Sequence, residues 1–184
     1  MIIETIMSRD SLANLRLLKG HRFEFLYEMG WRSLDNIDSL HIATDGPSIQ
    51  VVSDDYNDQD AGSFEVRISD PNYRRKCLVA GWVFLQNRHQ LIKNILVVRT
   101  TYKNRLDNEG NRFEHWCERG IVFELEDSSI YFQLDQPFSF LFGVKYLNSL
   151  EELEVPSRQD YFDEEPDINF EYQLVAVDDL LEEK

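Results

Sequence analysis

Cysteine is scarce, with only Cys77 and Cys117 in 184 residues. Two cysteines cannot staple a disulfide scaffold, so a reducing cytoplasmic setting is expected. Long apolar runs are missing too. The longest, residues 77–85, spans nine positions, against about 20 for a membrane helix. The first ten residues show neither the basic start nor the apolar stretch of a signal peptide. Basic side chains number 19 against 34 acidic ones, a formal charge of −15. That balance argues against nucleic acid and anionic membranes, since both are bound through a Lys/Arg surplus. Glycine-rich phosphate loops, Gly-x-Ser-x-Gly and His-Glu-x-x-His are all lacking. No cofactor is therefore expected.

Aromatic side chains are plentiful: 12 Phe, 8 Tyr and 3 Trp. A chain of this length and aromatic content can bury a core, and a single domain over 1–184 is expected. Leu12, Leu15 and Leu18 at spacing three, with Ser8 or Asp10 as cap and Gly20 as stop, predict a short helix over 8–18. The period then falls to two: Phe23, Phe25 and Tyr27 mark a strand. Leu40 and Ile42, then Ile49 and Val51, flank the reversal Thr44-Asp-Gly-Pro47 and predict a hairpin. Phe64, Val66 and Ile68 predict a further strand. Residues 91–102 end in a β-branched run and read as a strand, and polar residues 103–112 as a loop. Residues 120–133 predict a second hairpin reversing at 126–129. Phe170, Tyr172 and Leu174 alternate as an edge strand does, and 177–183 reads as a helix. The expected fold class is α+β, a mostly antiparallel sheet built from hairpins with a few short helices.

The two hairpins align without a gap. Leu40 falls on Ile121, Ile42 on Phe123, Asp45 on Glu126, Ile49 on Ile130 and Val51 on Phe132. Upstream, Leu18-Lys-Gly-His21 matches Leu85-Gln-Asn-Arg88, and the second copy is expected to carry a longer loop over 103–118. Internal duplication would give structural halves at 8–75 and 76–150, followed by an acidic segment, 151–184. Any two amphipathic hairpins share the period-two pattern, so coincidence is the competing explanation.

Few constellations suggest chemistry. His115 and Cys117 stand two apart on a strand, share a face and offer a zinc-type ligand pair or a base and nucleophile. No other histidine stands at ligand spacing, so no metal is expected, and the simpler reading is a satisfied histidine beside a buried thiol. Residues 54–65 resemble an EF-hand loop only in their acids, because Tyr56 and Gln59 occupy the third and sixth positions, where a carboxylate and glycine belong. Glu124 and Glu126 read as surface carboxylates.

The charge is unevenly placed. Residues 151–184 hold 13 acidic side chains against Arg158 and Lys184, a net of −11, while residues 1–150 hold 21 acidic and 17 basic ones, a net of −4. Tyr161, Phe162, Phe170 and Tyr172 interleave with these carboxylates. Aromatic anchors among steering charges make a protein-binding composition.

With the stretches Leu40–Gly46 and Ile121–Asp127 and the late Asp160-Tyr-Phe-Asp-Glu-Glu165, the chain resembles the small acidic bacterial immunity proteins of polymorphic and contact-delivered toxin systems. That resemblance implies a cytoplasmic, non-enzymatic protein that occludes the active site of one cognate toxin domain, with a basic toxin as the natural target. The expected partner-binding residues are Tyr161, Phe162, Asp163, Glu164 and Glu165, with Asp54, Asp55, Asp58 and Asp60. The alternatives are an enzyme whose non-local pocket includes His115 and Cys117, and an oligomeric adaptor.

Overall fold

A computed structural model describes residues 2–29, 39–53, 64–69, 83–84, 89–106, 110–134, 142–155 and 169–183. The expected binding residues Asp54, Asp55, Asp58, Asp60 and Tyr161 to Glu165 lie outside them. The fold is α+β and mostly antiparallel sheet, as the alternation predicts.

The first sheet has the spatial order β5 (Phe64–Ile68), β4 (Ser48–Ser53), β3 (Ser39–Thr44), β2 (Phe23–Met29) and β6 (Val83–Phe84). The second runs β10 (Phe142–Leu147), β9 (Ser129–Leu134), β8 (Arg112–Glu124), β7 (Asn94–Leu106) and β11 (Asn169–Ala176). A short strand, β1 (Ile2–Thr5), lies parallel to β8 at residues 114–117. No period-two signal marks β1, because four residues are too few to show one. Helix α1 (Arg9–Arg16) precedes β2, and α2 (Val177–Glu183) follows β11 directly. Ser8 caps α1 by accepting the Ser11 amide at 3.1 Å. Gly20, at φ 84°, ends the turn that follows.

Both sheets have the same topology. Four successive strands form a meander, and a fifth returns to flank the first. Their registers agree as well. Ile42 pairs with Ile49 and Leu40 with Val51 in the first hairpin, and Phe123 pairs with Ile130 and Ile121 with Phe132 in the second. These are the residues that the gap-free alignment superposes. Leu26 pairs with Ile42 as Ile95 pairs with Phe123, which places β2 over β7.

The halves meet along residues 20–23 and 89–92, and their contacts are reciprocal. Phe23 N donates to Gln90 O and Ile92 N to His21 O, both at 2.9 Å. His89 N donates to Phe23 O as Gly20 N does to Ile92 O. Arg22 N donates to Asp45 Oδ1 at 2.9 Å, and Leu91 N to Glu126 Oε2 at 3.1 Å. Each bond is matched by its counterpart under a pseudo-two-fold axis through the Arg22–Leu91 bridge. His89, at φ 68°, takes the left-handed place that Gly20 has in the first half. The upstream match is thereby corrected: Gly20 corresponds to His89, two residues beyond Asn87.

One hydrophobic cluster draws on both sheets and both helices. It includes Leu12, Leu15, Phe23, Ile42, Val51, Val66, Ile95, Val97, Ile121, Phe123, Phe132, Val177 and Leu180. A second cluster covers the other face of the second sheet, where Leu147 and Leu153, joined by Leu150 and Val155, pack on Val98, Val122, Tyr131 and Leu174. Residues 169–183 of the acidic segment are therefore built into the second sheet and the shared core.

Candidate functional site

The expected loop at 103–112 is not a loop throughout. β7 continues to Leu106 and β8 begins at Arg112, so both strands extend well past the repeated meander. The extension starts at a β-bulge. Val98 pairs with Gly120 and Arg99 with Glu118, leaving Arg119 as the extra residue. Val98 and Gly120 correspond to Met29 and Ser39, which are linked by residues 30–38 in the first half and by residues 99–119 in the second. Cross-strand pairing overrides the local polarity of 103–106, since β11 reaches Lys103 on one side and β8 pairs with Arg105 and Leu106 on the other. The result is a four-stranded arm in the order β1, β8, β7, β11.

A buried ion pair stands at the base of the arm. Glu118 has no exposed surface and accepts from Arg99 Nη2 at 2.9 Å and from the Met7 amide at 2.6 Å. Arg99, 8% exposed, also lies 3.8 Å from Glu183 near the end of α2. Charges removed from water persist only when paired and hydrogen-bonded. This pair joins the arm to the entry of α1 and to the last turn of α2.

Strand alternation divides the arm residues between two faces. One face is buried. His115 and Cys117 share it, as their spacing predicts, together with Thr100 and Tyr102. Thr100 Oγ1 sits 2.9 Å from Cys117 Sγ, and the Tyr102 ring lies 6.2 Å from His115 and 5.4 Å from Phe170. The Arg119 guanidinium stacks 5.9 Å from the Tyr102 centroid. Cys117 has no exposed surface, so its sulfur is packed rather than offered to a substrate, as attack by a thiolate requires. Among the described residues, no three His, Cys, Asp or Glu side chains group as a metal-ligand set.

The opposite face is open. Its rows are Ile2 and Glu4 on β1, Glu114 and Trp116 on β8, Thr101 and Lys103 on β7, and Asn169, Glu171 and Gln173 on β11. Every one of these side chains is exposed or half-buried, and Ile2 is 55% exposed. Trp116 Nε1 donates to Glu114 Oε1 at 2.6 Å, which fixes the indole against its neighbour on the same strand. Lys103 donates to Glu171 at 2.8 Å. That hydrogen bond, with the nearby Glu114 carboxylate, raises the Lys103 ammonium above its usual value.

Among the described residues, β11 is the outermost strand of the second sheet, and its residues 169–173 are exposed apart from the half-buried Phe170. Tyr172, 49% exposed, lies on the face of Leu174, where residues 150–155 pack. Glu151, Glu152 and Glu154 are exposed on that segment. Glu124 and Glu126, expected as surface carboxylates, are half-buried. Glu124 accepts from Asn94 Nδ2, while Glu126 accepts from the Leu91 amide and Arg22. The Leu91 amide is the first cause holding Glu126 below the usual carboxylate range, and the same amide-to-carboxylate bond from Arg22 acts on Asp45.

Sequence reasoning placed His115 and Cys117 together but missed Glu118, Arg99 and Trp116. The available signal was a charge, Arg99, inside the β-branched run predicted as a strand. Among the described residues, no helix is long and apolar enough to cross a membrane. Compared with known protein families, curated proteins and solved structures, the chain matches none.

Proposed function

We propose that this chain is a non-enzymatic binding protein of the immunity type, which neutralises a cognate basic toxin domain by occluding its active site. The observation that carries this reading is the edge strand β11. It ends the second sheet, exposes Glu171, Tyr172 and Gln173, and belongs to the segment that holds −11 of the −15 charge. An exposed strand edge offers backbone hydrogen bonds, an aromatic ring offers an anchor, and surrounding carboxylates speed the encounter with a basic partner. Burial of Cys117 and His115 weighs against the enzyme reading that relies on them.

The test is a titration with the product of the neighbouring gene. Charge reversal at Asp163, Glu164 and Glu165, which precede β11 in the sequence, is expected to slow association sharply at low salt and much less at high salt. Absence of binding, or a rate unchanged by the reversal at every salt concentration, overturns the proposal.

A further inference from the structure

We infer that the open face of the arm is a docking platform for a polypeptide segment that seats an apolar side chain on Trp116 between flanking lysines or arginines. This deepens the reading of the chain as a binding protein and rests on it. That face combines a half-buried indole and an exposed isoleucine with carboxylates on three of its four strands, Glu4, Glu114 and Glu171. The basic side chains of that face are Lys103, engaged by Glu171, and the buried Arg99 at its base, engaged by Glu118.

Charge selects the occupant. A second copy of this chain would bring the same carboxylates against this face, and a nucleic acid would bring phosphates. Both would place like charges opposite one another, whereas a basic polypeptide pairs with them. The indole supplies the anchor that a charged rim lacks, because a large aromatic desolvates well while its neighbours set specificity. Rigidity favours the site as well. Trp116 is held by its bond to Glu114, and the next row of the same face is pinned by the Arg99–Glu118 pair, so little ordering cost falls on binding.

The experiment pans a displayed library of short linear peptides against the full chain, then measures binding of the enriched peptides by titration and by NMR of the Trp116 indole N–H. Enriched sequences are expected to place Lys or Arg on both sides of an aliphatic or aromatic residue and to shift the indole resonance. The double variant Glu4→Lys/Glu171→Lys is expected to weaken binding by about tenfold or more, by turning two exposed attractions into repulsions. Trp116→Ala is expected to weaken it at least as much. The triple variant Glu151→Lys/Glu152→Lys/Glu154→Lys, on the opposite face, leaves it unchanged.

Peptides that lose affinity only in the triple variant overturn the platform while leaving the binding function standing. Failure to enrich basic peptides also overturns it, as does an indole shift on simple dilution of the chain, which would mark the face as a contact between copies. Failure of the toxin titration alone would overturn the immunity reading without touching the platform.

Discussion

Charge neutralisation at the base of the arm offers the sharpest test of how the second sheet holds together. Glu118→Gln keeps an acceptor for the Met7 amide but leaves the Arg99 guanidinium, among the described residues, with the exposed Glu183, 3.8 Å away. Arg99→Met deprives the fully buried Glu118 carboxylate of its guanidinium partner. Breaking a buried pair from one side costs about 3–5 kcal/mol. Glu118→Gln is expected at the lower end, because Glu183 compensates in part, and Arg99→Met at the upper end. Removing both charges in Arg99→Met/Glu118→Gln is expected to cost only about 1 kcal/mol, since neither residue then needs to be dehydrated as an ion. The coupling energy of the cycle is therefore several kcal/mol. Urea unfolding of the four proteins, with m-values checked for constancy, measures it. Single variants that each lose under about 1 kcal/mol, or a double variant as unstable as the two singles summed, would refute the view that this pair is a closed, mutually dependent unit.

Two further predictions concern burial. His41, 6% exposed, has its pKa lowered from 6.5 to about 4 by desolvation. The unfolded chain therefore binds more protons between pH 6.5 and 4, and stability is lost as pH falls through that window, by about 3 kcal/mol. The stability difference between wild type and His41→Gln, followed from pH 7 to 4, isolates this from the carboxylates; parallel curves would contradict it. At Gly120 a Cβ would overlap the Tyr131 ring and lie 2.9 Å from the Phe132 carbonyl oxygen. Gly120→Ala is expected to cost about 1–3 kcal/mol through overpacking at the bulge, read as a lowered melting temperature, and an unchanged one would show that both the Tyr131 ring and the Phe132 backbone give way.

Legibility followed range along the chain. The α1 cap at Ser8, both hairpins, the edge strand at 169–176 and the helix at 177–183 were all readable, because capping and side-chain period are properties of adjacent residues. The repeat was readable for the same reason, down to its cross-strand pairs, except upstream, where a two-residue offset escaped because a left-handed His89 does not look like Gly20. Residues 103–106 differ from the expected loop: their polarity suits one, and only pairing of Lys103 with β11 and of Arg105 and Leu106 with β8 makes strand the better state.

The order of residues alone thus settled that this is an antiparallel α+β protein of repeated hairpins, with its acidity concentrated late. Tertiary structure alone decided where that acidity is displayed and what the arm presents. It set β1 beside β8, buried Glu118 against Arg99, hid His115 and Cys117 and turned Trp116 outward. The physical reason is that periodicity specifies which residues share a face. Whether that face meets water, another sheet or an opposite charge depends on strands far apart in sequence.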